Sequence, residues 1–568
     1  MLNIKNQKKD PIVPPLTISA LYDLSCFRHN DDVVINQKEF DFTRRELKKE
    51  RKILAKAFLE LGVKKGDIIT VATGRSMYDN VLIFLAANKI GALVAFLDEK
   101  TPRDTLLFYL NEFKSSLVVT YKYNDKRIKE LKRDAKTVKN VINLDGEMIR
   151  QGDVDETQTE VIEMSALDGM WLGKQKITKI AEKYKGRVPL GIFGGNKEAL
   201  ISFTSGSTSG PKPMVFTNKA LIAAALFSKA ASGIKMWDKE VTSWLSFVNF
   251  DCPYGFWTST MTPIIGGSSV ILTPDIDGSN MEYYFSKKIS VVQAVPLLFD
   301  SLPEALPEDM DLSSVKMCIS GGERLEKQAS ADIVNFFGEH NATVKICNGY
   351  GVGECLGSIT VAVGSTYHPD TVGRVVPGAH VMVLDPETGE ELGFGKTGIL
   401  YVTGKHILNR YFNRPELDEE KILMKDGRKF VKTGDLAIVS ETGFVTLVGR
   451  ATFFINNKPA KVYYEVVRSA VARSELVSRC YVVKMPDKKL SFSSCAFVVV
   501  KDGVGRNNET RRKIMKDATE PFYLGKRRIV LKDYEIPRKV VFLDELPLTR
   551  ANKTDFRKLE RMAKELAQ

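Results

Sequence analysis

Nine consecutive residues, Thr204 to Lys212, read TSGSTSGPK, and all but Pro211 and Lys212 are Thr, Ser or Gly. Such a run offers almost no apolar surface to bury, so it cannot form part of a core. An apolar approach through Leu200, Ile201 and Phe203 leads into it. The run presents the backbone N–H groups and hydroxyls of Thr204, Ser205, Gly206, Ser207, Thr208 and Gly210 to one point, with the Lys212 ammonium beside them. That is how a loop cradles phosphate oxygens. Its spacing is not the G-x-x-x-x-G-K-[ST] of the Walker loop.

At 568 residues the chain exceeds a single core, so two or more domains are expected. Leu47 to Leu61 has helical apolar spacing and stops before Gly62, and IITVAT then reads as a strand. Helix and strand patterns alternate through VLIFLAANKIGALVAFL and SSLVVTY, which predicts mixed α/β layers with a largely parallel sheet. Gln151 to Gly195 is polar and poorly periodic and reads as a surface excursion. Strand patterns recur at 269–272, 291–295 and 316–319, the last halting at Ser320-Gly321-Gly322-Glu323. From Gly398 the chain turns β-like through GILYVTG, KTGDLAIV and GFVTLVGR.

Charge divides the molecule. The net charge is +13, and residues 450–568 hold 27 Lys and Arg against 14 Asp and Glu, leaving 1–449 neutral. The excess marks a small basic C-terminal unit that meets something acidic. Its pattern is a short hairpin, a helix near Val466–Ala472, strands YVVKM and AFVVV, and a basic helix at Glu509–Ala518. We therefore expect a large N-terminal domain of layered α/β sheets, 1–449, and a small mobile α+β lid, 450–568. No apolar run reaches the roughly 18 residues of a membrane span, since Asn88, Lys89 and Gly91 interrupt the best one. Seven scattered cysteines without a C-x-x-C pair, and five histidines without ligand spacing, argue against a disulfide frame or zinc site. A reducing, cytoplasmic setting is expected.

Four further motifs follow in order. Asn348-Gly349-Tyr350-Gly351 continues to Glu354 as NGYGVGE, Lys432 to Asp435 reads KTGD, Gly449-Arg450 follows, and Leu546 to Asp555 reads LPLTRANKTD. Together with the glycine-rich run they resemble the adenylate-forming enzymes: acyl-CoA synthetases, peptide-synthetase adenylation domains and luciferases. That resemblance implies roles residue by residue. Thr204, Ser205, Gly206, Ser207, Thr208, Gly210 and Lys212 would hold the ATP phosphates, with Gly322, Glu323, Asn348, Gly349 and Gly351 lining the nucleotide pocket. Tyr350 would pack on adenine and Glu354 would hold Mg²⁺. Asp435 would accept the ribose hydroxyls, Arg450 would open the hinge, and Lys553 would bridge the substrate carboxylate and the α-phosphate. The implied chemistry activates a carboxylic acid as an acyl adenylate and passes it to a thiol of CoA or phosphopantetheine.

Several positions depart from the family pattern. Ser209, Pro213, Gly353 and Asn552 differ in its motifs, while Thr452, Pro459 and Lys461 alter the segment after the hinge. Proline at 459 fixes φ where the family has glycine, which puts thioester formation in question more than adenylation. Substrate class turns on FVNFDCPYGFW. Asp251 would grip an α-ammonium if this is an F-D-x-S motif, whereas Cys252 to Gly255 fits an H-x-x-G motif better and favours a fatty or aryl acid. Phe250 and Gly321 would line the same pocket. A stand-alone amino-acid-activating enzyme is the alternative, and a degenerate nucleotide-binding paralogue a third reading. Only fifteen residues follow Lys553, so the thiol is expected from CoA or from an acidic carrier protein in trans, and nucleic acid is not expected as a partner.

Overall fold

The computed structural model describes the chain outside residues 28, 38–39, 122–124, 145–160, 165–171, 205–210, 236–237, 274–280, 365–366, 369–370, 452–453, 458–459, 488–490, 525–526, 549–553 and 568. Two large sheets organise the N-terminal domain. In one, Glu198–Phe203, Leu93–Phe96, Ile68–Val71, Leu117–Tyr121, Asn140–Leu144 and Val161–Met164 run parallel, and antiparallel Pro213–Thr217 and Arg410–Tyr411 close one edge. In the other, Val33–Gln37, Ser269–Leu272, Ser243–Ser246, Val291–Ala294, Met317–Gly321 and Lys345–Tyr350 are parallel, with antiparallel strands at both edges.

Helices between the sheets share one core with both of them. Tyr78–Ile90 is the central one: nearly every side chain on it is buried, so its sequence is apolar all round. Lys89 and Gly91, which break the apolar run, mark its end, where Gly91 takes φ +80° before the strand Leu93–Phe96. Arg44–Glu60 begins with a reciprocal cap in which Thr43 and Glu46 satisfy each other's backbone N–H groups. Separate apolar clusters cover the outer face of each sheet, giving five alternating layers. A third, antiparallel sheet is built on Thr397–Gly404, Arg428–Val439 and Val445–Arg450.

The excursion expected over 151–195 is instead partly structural. Val161–Met164 adds an edge strand parallel to Asn140–Leu144, and Leu172–Lys183 forms a helix packed against Arg44–Glu60. Its apolar periodicity is short and was hidden by the polar residues on either side. The smaller C-terminal domain has its own core. The helix Tyr464–Val471 and the basic helix Asn508–Thr519 pack on strands Val477–Asp487, Ser491–Val500 and Lys539–Phe542. Among the described residues, no helix is long and apolar enough to cross a membrane.

Candidate active site

Strands Met317–Gly321 and Lys345–Tyr350 end level with each other, with Ser320 opposite Asn348 and Gly321 opposite Gly349. The carboxyl edge of a parallel sheet is where ligands of open α/β folds bind. At this edge Tyr350 donates its hydroxyl to Asp435 Oδ2 at 2.5 Å. Arg450 Nε lies 2.9 Å from Asp435 Oδ1, and Arg450 Nη1 donates to the Thr433 carbonyl at 3.1 Å. Asp435 and Arg450 are cross-strand partners, so local pairing brings the two motifs together. Gly434 sits at φ +78°, a conformation that favours glycine. Burial raises the Asp435 carboxyl above the usual aspartate range, and the Arg450 charge opposes that shift. The same burial, with Asp435 beside it, pushes the Tyr350 hydroxyl well up. Gly351 is fixed by packing: a Cβ there would lie 1.9 Å from the Gly357 carbonyl oxygen.

Glu354 follows within the same turn. Its carboxylate accepts from the Tyr411 hydroxyl at 2.6 Å, and its carbonyl accepts from the Leu408 N–H at 2.7 Å. Tyr411 sits on the strand paired with Pro213–Thr217, which continues directly from the glycine-rich run. Ser205, Gly206, Ser207, Thr208 and Gly210 lie outside the described residues, but their neck is closed by two bonds. Thr204 N–H donates to the Lys212 carbonyl at 3.1 Å, and Lys212 N–H donates to Thr204 Oγ1 at 3.2 Å. Tyr109 fixes Pro211 through its carbonyl at 2.6 Å. Among the described residues no three His, Cys, Asp or Glu side chains gather as a metal cage. Glu354 offers a hard carboxylate oxygen, the donor type a magnesium ion accepts when phosphates and water supply its other ligands. Tyr411, which orients Glu354, was not foreseen because its partner lies 57 residues away.

The C-terminal domain reaches the same corner. Thr554 donates its N–H to Glu323 Oε1 at 2.8 Å, immediately after the position expected to hold the bridging lysine. Lys553 and Asn552 themselves lie outside the described residues, as do Thr452 and Pro459. Next to Glu323, four charges interlock across the domains. Arg324 Nη1 lies 2.7 Å from Glu465 Oε1, Arg468 Nη1 2.6 Å from Glu326 Oε1, and Arg468 Nη2 2.7 Å from Glu465 Oε1. Burial would raise the Glu465 carboxyl, but Arg468 and Arg324 outweigh it and hold it at about 2. Sequence reading missed this lattice. Only the i,i+3 spacing of Glu465 and Arg468 on one helix hinted at it.

The stretch assigned to the acid is mixed in its placement. Phe250 is wholly buried, edge-on to Phe96 and Phe256, so its ring belongs to the core. Asp251 and Cys252 are half-buried and precede a wide π-helical segment, Tyr254–Met261. There Ser259 and Thr260 hydroxyls donate to the carbonyls of Tyr254 and Gly255, five residues back. A side chain at Gly255 would strike the Asn249 carbonyl at 1.8 Å, so close packing alone requires glycine there.

Tyr350, Asp435 and Arg450 at one strand edge, Glu354 bonded to the strand beside Pro213–Thr217, and a second domain touching Glu323 and Arg324 frame one candidate site. Residues 23–412 match the AMP-binding enzyme family and 467–553 its C-terminal domain, and the chain belongs to that family of adenylate-forming enzymes. Its relatives include a probable CoA ligase of Humulus lupulus, 25% identical over 87% of this chain and 83% of that one. The luciferin 4-monooxygenase of Photuris pensylvanica is 24% identical over 90% and 87%. Tyrocidine synthase 1 of Brevibacillus parabrevis is 23% identical over 96% of this chain and 45% of its own length. Among solved structures, ATP-bound MatB from Rhodopseudomonas palustris superposes with a TM-score of 0.77, at 19% identity over 97% of this chain and all of that one. An anthranilate CoA ligase holding anthranoyl-AMP gives 0.79 at 18% identity, covering 98% of each chain.

Proposed function

We propose that this enzyme is an ATP-dependent acid–thiol ligase acting on a fatty or aryl acid. A carboxylate oxygen of the acid attacks the α-phosphorus of ATP, the α–β phosphoanhydride bond breaks, and pyrophosphate leaves with its electron pair. A thiol then attacks the acyl carbon, and AMP departs. The observation that carries this reading is the Thr554–Glu323 hydrogen bond. It sets Thr554 of the C-terminal domain against Glu323, just beyond the strand end Met317–Gly321, and in this reading the neighbouring Lys553 would offer its cation to acid and α-phosphate together. Asp435 would receive the ribose, Tyr350 would flank the base, and Lys212 with the 204–210 loop would bind the phosphates. Glu354 would hold Mg²⁺, which when bound neutralises charge on the phosphate oxygens.

No nucleophilic side chain or general base is needed for this chemistry, only aimed positive charge. We place the domain hinge at Gly449–Arg450, the last two residues of the large domain's final strand. The acceptor is CoA or a carrier-bound phosphopantetheine, and the seven cysteines, all free thiols, fit a reducing compartment such as the cytoplasm. An amino-acid substrate held by Asp251 remains the second reading, motivated by that half-buried carboxylate. ATP–pyrophosphate exchange across fatty, aryl and amino acids tests the proposal. Acid-dependent exchange with one class supports it, and nucleotide binding without exchange for any acid makes the protein a silent paralogue.

A further inference from the structure

Lys229, in the last turn of the helix Asn218–Ser232, is 8% exposed and takes no part in the reaction proposed above. Its Nζ donates to the Lys235 carbonyl at 3.2 Å and to the Gly266 carbonyl at 3.3 Å. Among the described residues no carboxylate pairs with it. Asp238, the acidic side chain that bears on it, accepts instead from the Lys235 and Glu240 N–H groups. Burial lowers the Lys229 ammonium to about 8, with the Asp238 charge opposing. Gly266 leaves room for that ammonium: a Cβ there would lie 2.2 Å from Nζ. Lys229 and Gly266 form one wall of a cavity of about 140 Å³. Apolar side chains, among them Ile12, Leu21, Ile222, Ala225, Leu226 and Ile265, make most of the remaining lining. Ile12 is 90% exposed and stands at the mouth.

This cavity lies at the opposite end of the second sheet from the nucleotide corner. Gly266 precedes the strand Ser269–Leu272 at its amino end. In register, Ser269 is level with Lys316, five residues before Gly321 at the carboxyl edge and about 17 Å from it along the strands. An ammonium has three N–H donors, and two carbonyls neither use the third nor cancel the charge. A buried charge of this kind is costly until an opposite one meets it. Lys8 adds to the positive field by reaching the Ala230 carbonyl at 3.4 Å, while Asp10 is engaged with His380 at 3.1 Å. We propose that the cavity binds a small apolar monocarboxylate, its carboxylate on Lys229 and its hydrocarbon body between the helix Asn218–Ser232 and Ile12. Apolar cavities of about 150 Å³ accommodate benzene, so the body is a single ring or a chain of about four to six carbons. A carboxylate alone would find no polar lining beyond Lys229, and a hydrocarbon alone would leave the ammonium uncompensated. Occupancy of this site does not depend on the ligase reading.

Equilibrium dialysis of the full-length protein with radiolabelled benzoate and hexanoate counts the molecules bound per chain. Benzyl alcohol serves as the uncharged counterpart and acetate as the anion without an apolar body. Lys229→Met removes the ammonium at nearly constant volume, and Ala225→Leu fills the cavity from the same helix. Neither residue belongs to the nucleotide corner, so any acid bound there is common to all three proteins and cancels in the comparison. The parent protein should bind one molecule of each acid that both variants bind about tenfold or more weakly. Benzyl alcohol and acetate should bind the parent protein and Lys229→Met alike. A thermal midpoint near that of the parent protein shows that a variant is folded, and if Lys229→Met fails this check, Ala225→Leu carries the comparison. Equal binding of benzoate and hexanoate by the parent protein and the folded variants overturns the inference. So does a difference that benzyl alcohol or acetate reproduces in full.

Discussion

Asp435 carries two separable consequences. A ribose contact is made in ground and transition states alike, so Asp435→Asn should raise the ATP half-saturation about tenfold or more and change the maximal exchange rate little. A fall in maximal rate at constant half-saturation contradicts the assignment. Because burial raises this carboxyl, it protonates at a higher pH than an ordinary aspartate. Protonation removes an acceptor, so ATP half-saturation should climb on acidification before exposed carboxylates titrate, and Asp435→Asn should abolish that climb. Lys553→Ala has the opposite signature. A cation delivered only in the closed state acts on the transition state, and its loss should cost on the order of 3 kcal/mol, a hundredfold in rate, with ATP binding retained. Exchange within about threefold of the parent enzyme removes Lys553 from the mechanism. At this scale the motifs were legible in sequence because each needs a particular residue type: glycine at positive φ in position 434, an acceptor at 435. Tyr411 was not, because a tyrosine acquires its role only from what is folded against it.

The helix Tyr464–Val471 matters through the face it turns to the loop after Gly321. Glu465 and Arg468 meet Arg324 and Glu326 there, and the Glu465 side chain is only 24% exposed. A carboxyl held at about 2 when docked and near 4.3 when free contributes stability that is full above the free value. That contribution is lost as pH falls from about 4.3 toward 2. Tryptophan or calorimetric unfolding at pH 6 and pH 3 should therefore show a smaller acid loss in Glu465→Gln than in the parent protein. An identical loss means the lattice does not hold the lid. Helix capping makes a simpler test: Thr43→Ala removes one half of a reciprocal cap and should cost about 1 kcal/mol, read as a lower thermal midpoint. Most elements were visible in the chain, from Leu47–Leu61 to the basic C-terminal helix, because their periodicity is strong. The edge strand Val161–Met164 was lost because four residues give too little pattern to outweigh polar flanks.

Over the whole molecule, a neutral large domain and a lid bearing all of the +13 excess set up an electrostatic asymmetry. If the acceptor is an acidic carrier, its encounter with the lid is steered by charge and screened over about 8 Å at physiological salt. Acyl transfer should then slow steeply between about 0.05 and 0.5 M salt while pyrophosphate exchange changes little. The basic helix narrows which residues to reverse. Arg511 donates to the Val540 carbonyl and stacks over Phe542, and Lys513 pairs with Asp517, so both have structural partners. Arg512 and Lys516 are exposed one turn apart, and Arg512→Glu with Lys516→Glu should mimic high salt. Efficient turnover with free CoA and none with any carrier would assign CoA as the acceptor.

Composition, spacing and periodicity by themselves determined the α/β class, the position of the glycine-rich run, the order of the family motifs and the basic C-terminal segment. These are local properties: a loop of Gly, Ser and Thr cannot be buried, and a helix or strand announces itself by its period. Tertiary structure alone decided which of those residues meet. It joined Tyr350 to Asp435 across 85 positions, brought Thr554 to Glu323 across 231, and interlocked two domains through four charges. It also packed Phe250 edge-on between Phe96 and Phe256. Contacts between distant segments depend on how layers stack and strands register, and one chain read in order carries no distance between them.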